Sequence, residues 1–208
     1  MKRLIINFMM IFCGAFSATA QSMDELFAGM PDELVTQLEN AWRKDLIDLY
    51  KSGKTATLDN IMQGKSTLLK LTDNYLLLQS TERTTVELRL LPLVNKTYVV
   101  CMVTTVYAPV ADSHVRFYST DWQQLPADDL FKPAAIERFL RPEADTASVA
   151  YIDAKASLDM CLVKYSLSPD SNDLTAELTT PQYLDEEAAK KAKVIVNDKP
   201  LQFIWKSG

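Results

Sequence analysis

The sequence predicts an α+β protein in which antiparallel β-meanders pack against an N-terminal amphipathic helix. Three observations carry that expectation. An apolar stripe recurs every fourth residue over Leu34, Leu38, Trp42, Leu46 and Tyr50. From Ala56 to Ser119 the period changes from helical to alternating, cut by short polar connectors. Strand patterns then come in runs rather than one-for-one with helices, which disfavours a doubly wound parallel sheet.

Taken in chain order, the first twenty residues read as an export signal. Lys2 and Arg3 precede an apolar run from Leu4 to Phe16, and Ala18 and Ala20 supply the small residues of a cleavage site after Ala20. The run is too short for a permanent membrane span. Cys13 follows Phe12, where a lipoprotein site wants a small residue. The expected product starts at Gln21 and resides in the periplasm or cell envelope.

Ser22 and Glu25 are spaced as a capping box. Pro31 suits the first turn of a longer helix, with Asp32 and Glu33 at its positive end, and Gly53 lies beyond its last residue. Strands are expected near 66–72, 75–80, 84–91, 98–107 and 114–119, the first three joined through "TDN" and "TER". Residues 98–107, "YVVCMVTTVY", are apolar on both faces and should lie centrally. Short helical turns are expected over 126–140, interrupted at Pro133, and a loop over 141–148. "MCLVKYSLS" and "DLTAELT" flank a turn-rich connector; as a symmetric hairpin they place Lys164 opposite Glu177 and Tyr165 opposite Ala176. A charged helix in "LDEEAAKKAK" and a strand in "PLQFIWKS" close the chain. No Pro/Gly/Ser-rich linker interrupts it, so 21–208 reads as one compact unit, divisible into lobes 21–125 and 126–208. Helix-then-meander occurs in both lobes, without a residue-level repeat.

Charge and composition narrow the functional classes. The net charge is −5 at pH 7 and becomes −7 without Lys2 and Arg3. That balance argues against sequence-independent nucleic-acid binding, which needs basic surface to replace counterions. Beyond the leader, Cys101 and Cys161 both sit in apolar strand-like runs, as small buried hydrophobes do. Whether they pair is left open.

Several motifs invite a catalytic reading and fail on chemistry. Gly64-Lys65-Ser66-Thr67 looks like the end of a phosphate loop. The upstream glycine position is Asp59, however, and the segment that follows is strand-like rather than helical. Asp112-Ser113-His114 spells hydrolytic residue types, but neighbours on an extended chain point to opposite faces, and His114 is the only histidine. One histidine and two distant cysteines make no zinc site. Asp170 and Asn172 begin a calcium-loop spacing that breaks at Leu174 and lacks the turn glycine, so that segment reads as a solvated hairpin tip. Asp128 with Asp129, and Asp185 with Glu186 and Glu187, fit charged helix starts. No catalytic residue, metal ligand or cofactor is assigned.

A binding surface is the remaining candidate. In "HVRFYSTDW" alternation puts His114, Arg116 and Tyr118 on one face, with Trp122 just beyond. A cation, a phenol and an indole together suit an interface.

The strings "LLPLVNKTYVVCMVTTVYAPVADSHVRFYSTDW", "LVKYSLSPDSNDLTAELTTPQYL" and "PLQFIWKSG", with the opening "FAGMPDELVTQLENAWRKDLIDLYKSG", resemble an uncharacterised family of exported proteins of Bacteroidales. The resemblance covers nearly all of the chain after the leader. It implies an envelope location in a Gram-negative cell and transfers no functional residues. The sequence therefore points to a non-enzymatic envelope module binding a protein, peptide or glycan. Its competitors are a hydrolase using paired carboxylates and a small-ligand carrier, the latter needing an apolar pocket between sheet and helix.

Overall fold

The computed structural model describes residues 22–207. The leader and the cleavage site after Ala20 lie outside the described residues. Helix α1, Met23–Gly29, buries Met23, Leu26 and Phe27 at helical spacing. Its expected capping box does not form, since Ser22 makes no side-chain cap. The Met23 N–H instead donates to the carbonyl of Asp73 at 3.0 Å, tying the helix start to a strand turn.

The long helix expected from Pro31 is broken. A 3-10 turn at Asp32–Leu34 is followed by irregular backbone, and α2 begins only at Asn40 and ends at Lys51. The physical reason is Arg43, which has no exposed surface. Its guanidinium donates to the carbonyls of Phe27 at 3.0 Å and Leu38 at 2.6 Å, to that of Met30, and to Asp32 Oδ1 at 2.8 Å. A buried cation needs such acceptors, and the chain from 27 to 38 wraps around it to supply them. Val35 and Leu38 are still buried, but from a loop. Beyond α2, Gly53 takes φ +69°, a left-handed conformation that glycine adopts without strain, and its N–H caps the carbonyl of Tyr50 at 3.0 Å.

Seven strands follow: β1 Thr57–Asp59, β2 Lys65–Leu71, β3 Tyr75–Thr81, β4 Thr84–Pro92, β5 Tyr98–Tyr107, β6 Ala111–Ser119 and β7 Gln124–Leu125. They form one sheet in chain order, every neighbouring pair antiparallel. As its double-sided apolarity required, β5 is buried continuously from Val99 to Val103. "QGKST" is the turn into β2. The Asn60 side-chain oxygen accepts from the Met62 and Gly64 N–H groups at 3.0 and 3.1 Å, and buried Ser66 donates to the Ser80 carbonyl at 2.7 Å. Those groups serve the turn, not a phosphate.

The remainder of the chain forms a 3-10 turn at Ile136–Phe139, α3 Val149–Ala156, β8 Val163–Leu167, β9 Leu174–Leu178, α4 Thr180–Tyr183, α5 Glu186–Ile195 and β10 Leu201–Phe203. Strands β10-β9-β8 make a three-stranded antiparallel sheet. The hairpin register is the expected one, Lys164 opposite Glu177 and Tyr165 opposite Ala176. Helix α3 was not legible in sequence, because only Ala154 of its residues is buried and Val149 and Ile152 face solvent.

The layers follow from alternation. Leu76, Leu78, Val86, Leu88, Val100 and Met102 point from one face of the large sheet toward α1 and α2. Leu91, Val99, Cys101, Val103, Val115 and Phe117 point from the other face toward the small sheet, meeting Val163, Tyr165, Leu167, Leu174 and Ala176. Helices α3 and α5 close a smaller cluster around Ala154, Leu158, Ala192 and Ile195.

Candidate functional site

The four residues expected to form a binding face are divided between environments. His114 and Arg116 on β6 are exposed. Tyr118 is only 2% exposed and belongs to the core under α1. Its face of the sheet is covered by the helix at that end of the strand and bare at the other, a distinction that alternation cannot make. Trp122 is half-buried at φ +62°, its indole N–H donating to the Leu26 carbonyl at 3.2 Å and its ring 5.7 Å from Tyr118. The exposed cation–phenol–indole cluster is therefore not formed.

Asp112, Ser113 and His114 do not converge either, and two of them have structural work. In β8 the N–H groups of Val163, Tyr165 and Leu167 lie on the edge away from β9, where no strand pairs with them. Asp112 Oδ1 accepts the first at 3.1 Å, Ser113 Oγ the second at 3.0 Å, and Glu87 Oε2 the third at 2.9 Å. Side chains of the large sheet thus satisfy the edge of the small one, as buried backbone donors require. Ser113 also shares a 2.8 Å hydrogen bond with Thr105.

Deeper along this seam, Glu87 Oε2 also accepts from the Tyr75 hydroxyl at 3.0 Å. Burial raises the Glu87 carboxyl above its ordinary range, against the hydrogen bonds from Tyr75 and Leu167 that favour its charge. Burial, reinforced by Glu87, likewise raises the Tyr75 phenol. Arg89, 4% exposed, donates to Asn172 Oδ1 at 3.1 and 3.3 Å and to the carbonyls of Pro169 at 2.8 Å and Ser168 at 3.2 Å. The β8–β9 tip, expected to be solvated, is docked onto this arginine.

Between the sheets, beside this seam, is a cavity of about 270 Å³. Leu91, Cys101 and Phe117 form its wall from the large sheet, and Leu167, Asn172 and Leu174 its wall from the small one. Leu130, Phe131, Lys132 and Arg138 close it from the connector, and Phe203, Ile204 and Trp205 from the C-terminal strand and tail. Phe131 sits at the hub of the rings, 6.3 Å from Phe117 and 5.3 Å from both Tyr165 and Phe203. Trp205 stacks 6.4 Å from Phe117 and is fixed by its indole N–H donating to the Pro92 carbonyl at 2.7 Å. The Arg138 guanidinium lies 4.7 Å over the Phe203 ring. Burial, with a smaller contribution from Glu87, pushes the Cys101 thiol up from its ordinary range.

Sequence reasoning missed this cavity. Its one local signal was Phe203 and Trp205 two residues apart, hence on one strand face. Phe131 and Arg138 come from a segment with little regular structure.

None of the carboxylates marked in the sequence lines the cavity. Asp185 caps α5 by accepting the Ala188 N–H at 2.9 Å, and Glu186 and Glu187 pair with Lys190 and Lys191 one turn on. Asp128 and Asp129 are exposed. A second cavity, of about 340 Å³, is lined by both Glu177 and Asp198. Glycosidase acid work needs an apolar enclosure around one carboxyl; both of these lie open to solvent, and Asp198 pairs with Arg141 at 3.6 Å. Among the described residues no group of three His, Cys, Asp or Glu side chains could hold a metal ion, and no helix is long and apolar enough to cross a membrane. Among the described residues Cys101 and Cys161 are free thiols, Cys101 buried and Cys161 exposed.

No curated protein matches the chain. A solved structure, described as a domain of an uncharacterized protein from Porphyromonas gingivalis W83, is 33% identical with a TM-score of 0.80, covering 89% of this chain and 95% of its own. With the profile of one family matching residues 15–208, the chain belongs to the family described as protein of unknown function (DUF3256).

Proposed function

We propose that this protein is a non-enzymatic, exported binding module, and that its ligand is a small molecule whose apolar body is held in the cavity between the two sheets. The carrying observation is the cavity itself: concave, ringed by Phe117, Phe131, Phe203 and Trp205, and free of carboxylates among its lining residues. Ligand sites combine apolar enclosure with few polar groups, and this volume falls just below their usual range of roughly 300 to 1,000 Å³, which suits a small ligand. The carrier reading called for a pocket between sheet and helix; the pocket here is between sheet and sheet. It is favoured over a macromolecule on the flat sheet, because Tyr118 and Trp122 are withdrawn from that surface. Export rests on the basic and apolar leader ending at Ala20, and cell fractionation tests it.

The binding test uses the neutral fluorophore N-phenyl-1-naphthylamine, which brightens in apolar surroundings. A saturable rise at one probe per chain is expected. Leu130→Trp and Ile204→Trp, at exposed positions on the cavity wall, should block it without unfolding the chain. Non-saturable binding, or binding indifferent to both substitutions, would rule the cavity out.

A further inference from the structure

Building on the cavity reading, we infer that the ligand is an amphiphilic anion, its apolar body among the rings and one carboxylate, sulfonate or phosphate at the mouth. Two cations line the cavity, Lys132 and Arg138, and no acid does, in a chain whose net charge is −5. Among the described residues neither cation has an ion pair or a side-chain hydrogen bond. Glu137, next to Arg138 in sequence, turns to Lys155 at 3.3 Å instead. The Phe203 ring 4.7 Å from the Arg138 guanidinium carbon restrains the cation without occupying a hydrogen-bond acceptor site.

The remaining side-chain polar groups have the same sense. The Asn172 oxygen is occupied by Arg89, so what that side chain has left to offer is its amide N–H₂. The Trp205 N–H is already spent on Pro92. The uncommitted side-chain groups at this site are therefore donors, apart from the weakly polar Cys101 thiol. A ligand end presenting only acceptors satisfies them, and an anion does so with charge-assisted hydrogen bonds. A neutral apolar ligand would leave both cations unused, and a cationic one would meet like charge.

The test compares two fluorophores that differ by one sulfonate, N-phenyl-1-naphthylamine and 8-anilinonaphthalene-1-sulfonate, in binding that Leu130→Trp blocks. The sulfonate should bind tighter by on the order of tenfold at low salt, and the gap should narrow as salt screens the exposed cations. Lys132→Gln with Arg138→Gln should bring the two probes within about twofold of each other. Equal wild-type affinities overturn the anion inference and leave the cavity reading standing. Failure of both probes to bind the cavity overturns both. A preference that survives the double substitution shows that these cations do not read the head group, and the inference fails. Displacement of the sulfonate probe by decanoate, decyl phosphate and decanol then identifies the head. Either anion outcompeting decanol supports the inference, with their ranking separating carboxylate from phosphate, and decanol competing equally overturns it.

Discussion

Glu87 is where the two sheets and the cavity wall depend on one atom. Its Oε2 accepts from both the Tyr75 hydroxyl and the Leu167 N–H, and Leu167 lines the cavity. Glu87→Gln keeps a carbonyl oxygen able to accept both bonds and removes a charge that burial disfavours; its effect on stability at pH 7 should be within about 1 kcal/mol. Glu87→Leu leaves two buried donors orphaned, at about 1–3 kcal/mol each, so a loss of roughly 2–6 kcal/mol is expected. The sign of the pH dependence follows from the raised carboxyl. Between the ordinary value of 4.5 and its higher folded value, the native state holds more protons than the unfolded chain. Stability from this group therefore falls as pH rises through that window, and Glu87→Gln should abolish the fall. Urea unfolding from pH 4 to 8 measures both effects, and amide exchange at Leu167 reports the local bond. If Gln costs as much as Leu, or the slope survives in Glu87→Gln, the account of Glu87 as a buried acceptor is wrong.

Other expectations come from burial. Arg43→Met should cost about 3–5 kcal/mol by stripping donors from the carbonyls of Phe27, Met30 and Leu38; a thermal melt within a degree or two of wild type would contradict it. Tyr118→Ala should cost about 3 kcal/mol or more through the void it leaves, whereas exposed Arg116→Ala should stay within about 0.5 kcal/mol. The Tyr118 hydroxyl is buried without a partner, so Tyr118→Phe should be neutral or stabilising, and denaturation of the three variants side by side checks the order. Thiol titration of the chain from Gln21 should find one reactive group, Cys161, in the folded state and two after denaturation; finding none in denaturant would mean that the cysteines pair.

The sequence by itself determined the local order of this protein. Alternation located β2 to β5 to within a residue at each end, and β6 at its C-terminal end but three residues late at its start, because side-chain direction along a strand is a local property with period two. The turn-rich "SPDSND" set the β8–β9 register, since a hairpin's pairing is dictated at its own tip. "QGKST" was legible as a turn because the residues that disqualify a phosphate loop are neighbours in the chain. Tertiary structure decided the rest. The helix expected from Pro31 yields to Arg43, whose acceptors lie up to sixteen residues away, and periodicity carries no record of such a partner. Tyr118 and Arg116 are equivalent by alternation, yet one is buried and the other exposed, because α1 covers only part of their face. The cavity joins β4, β5 and β6 to a connector and a tail with little regular pattern of their own, so no window of sequence contains it. Periodicity records which way a side chain points; what it meets there is settled by elements distant in the chain.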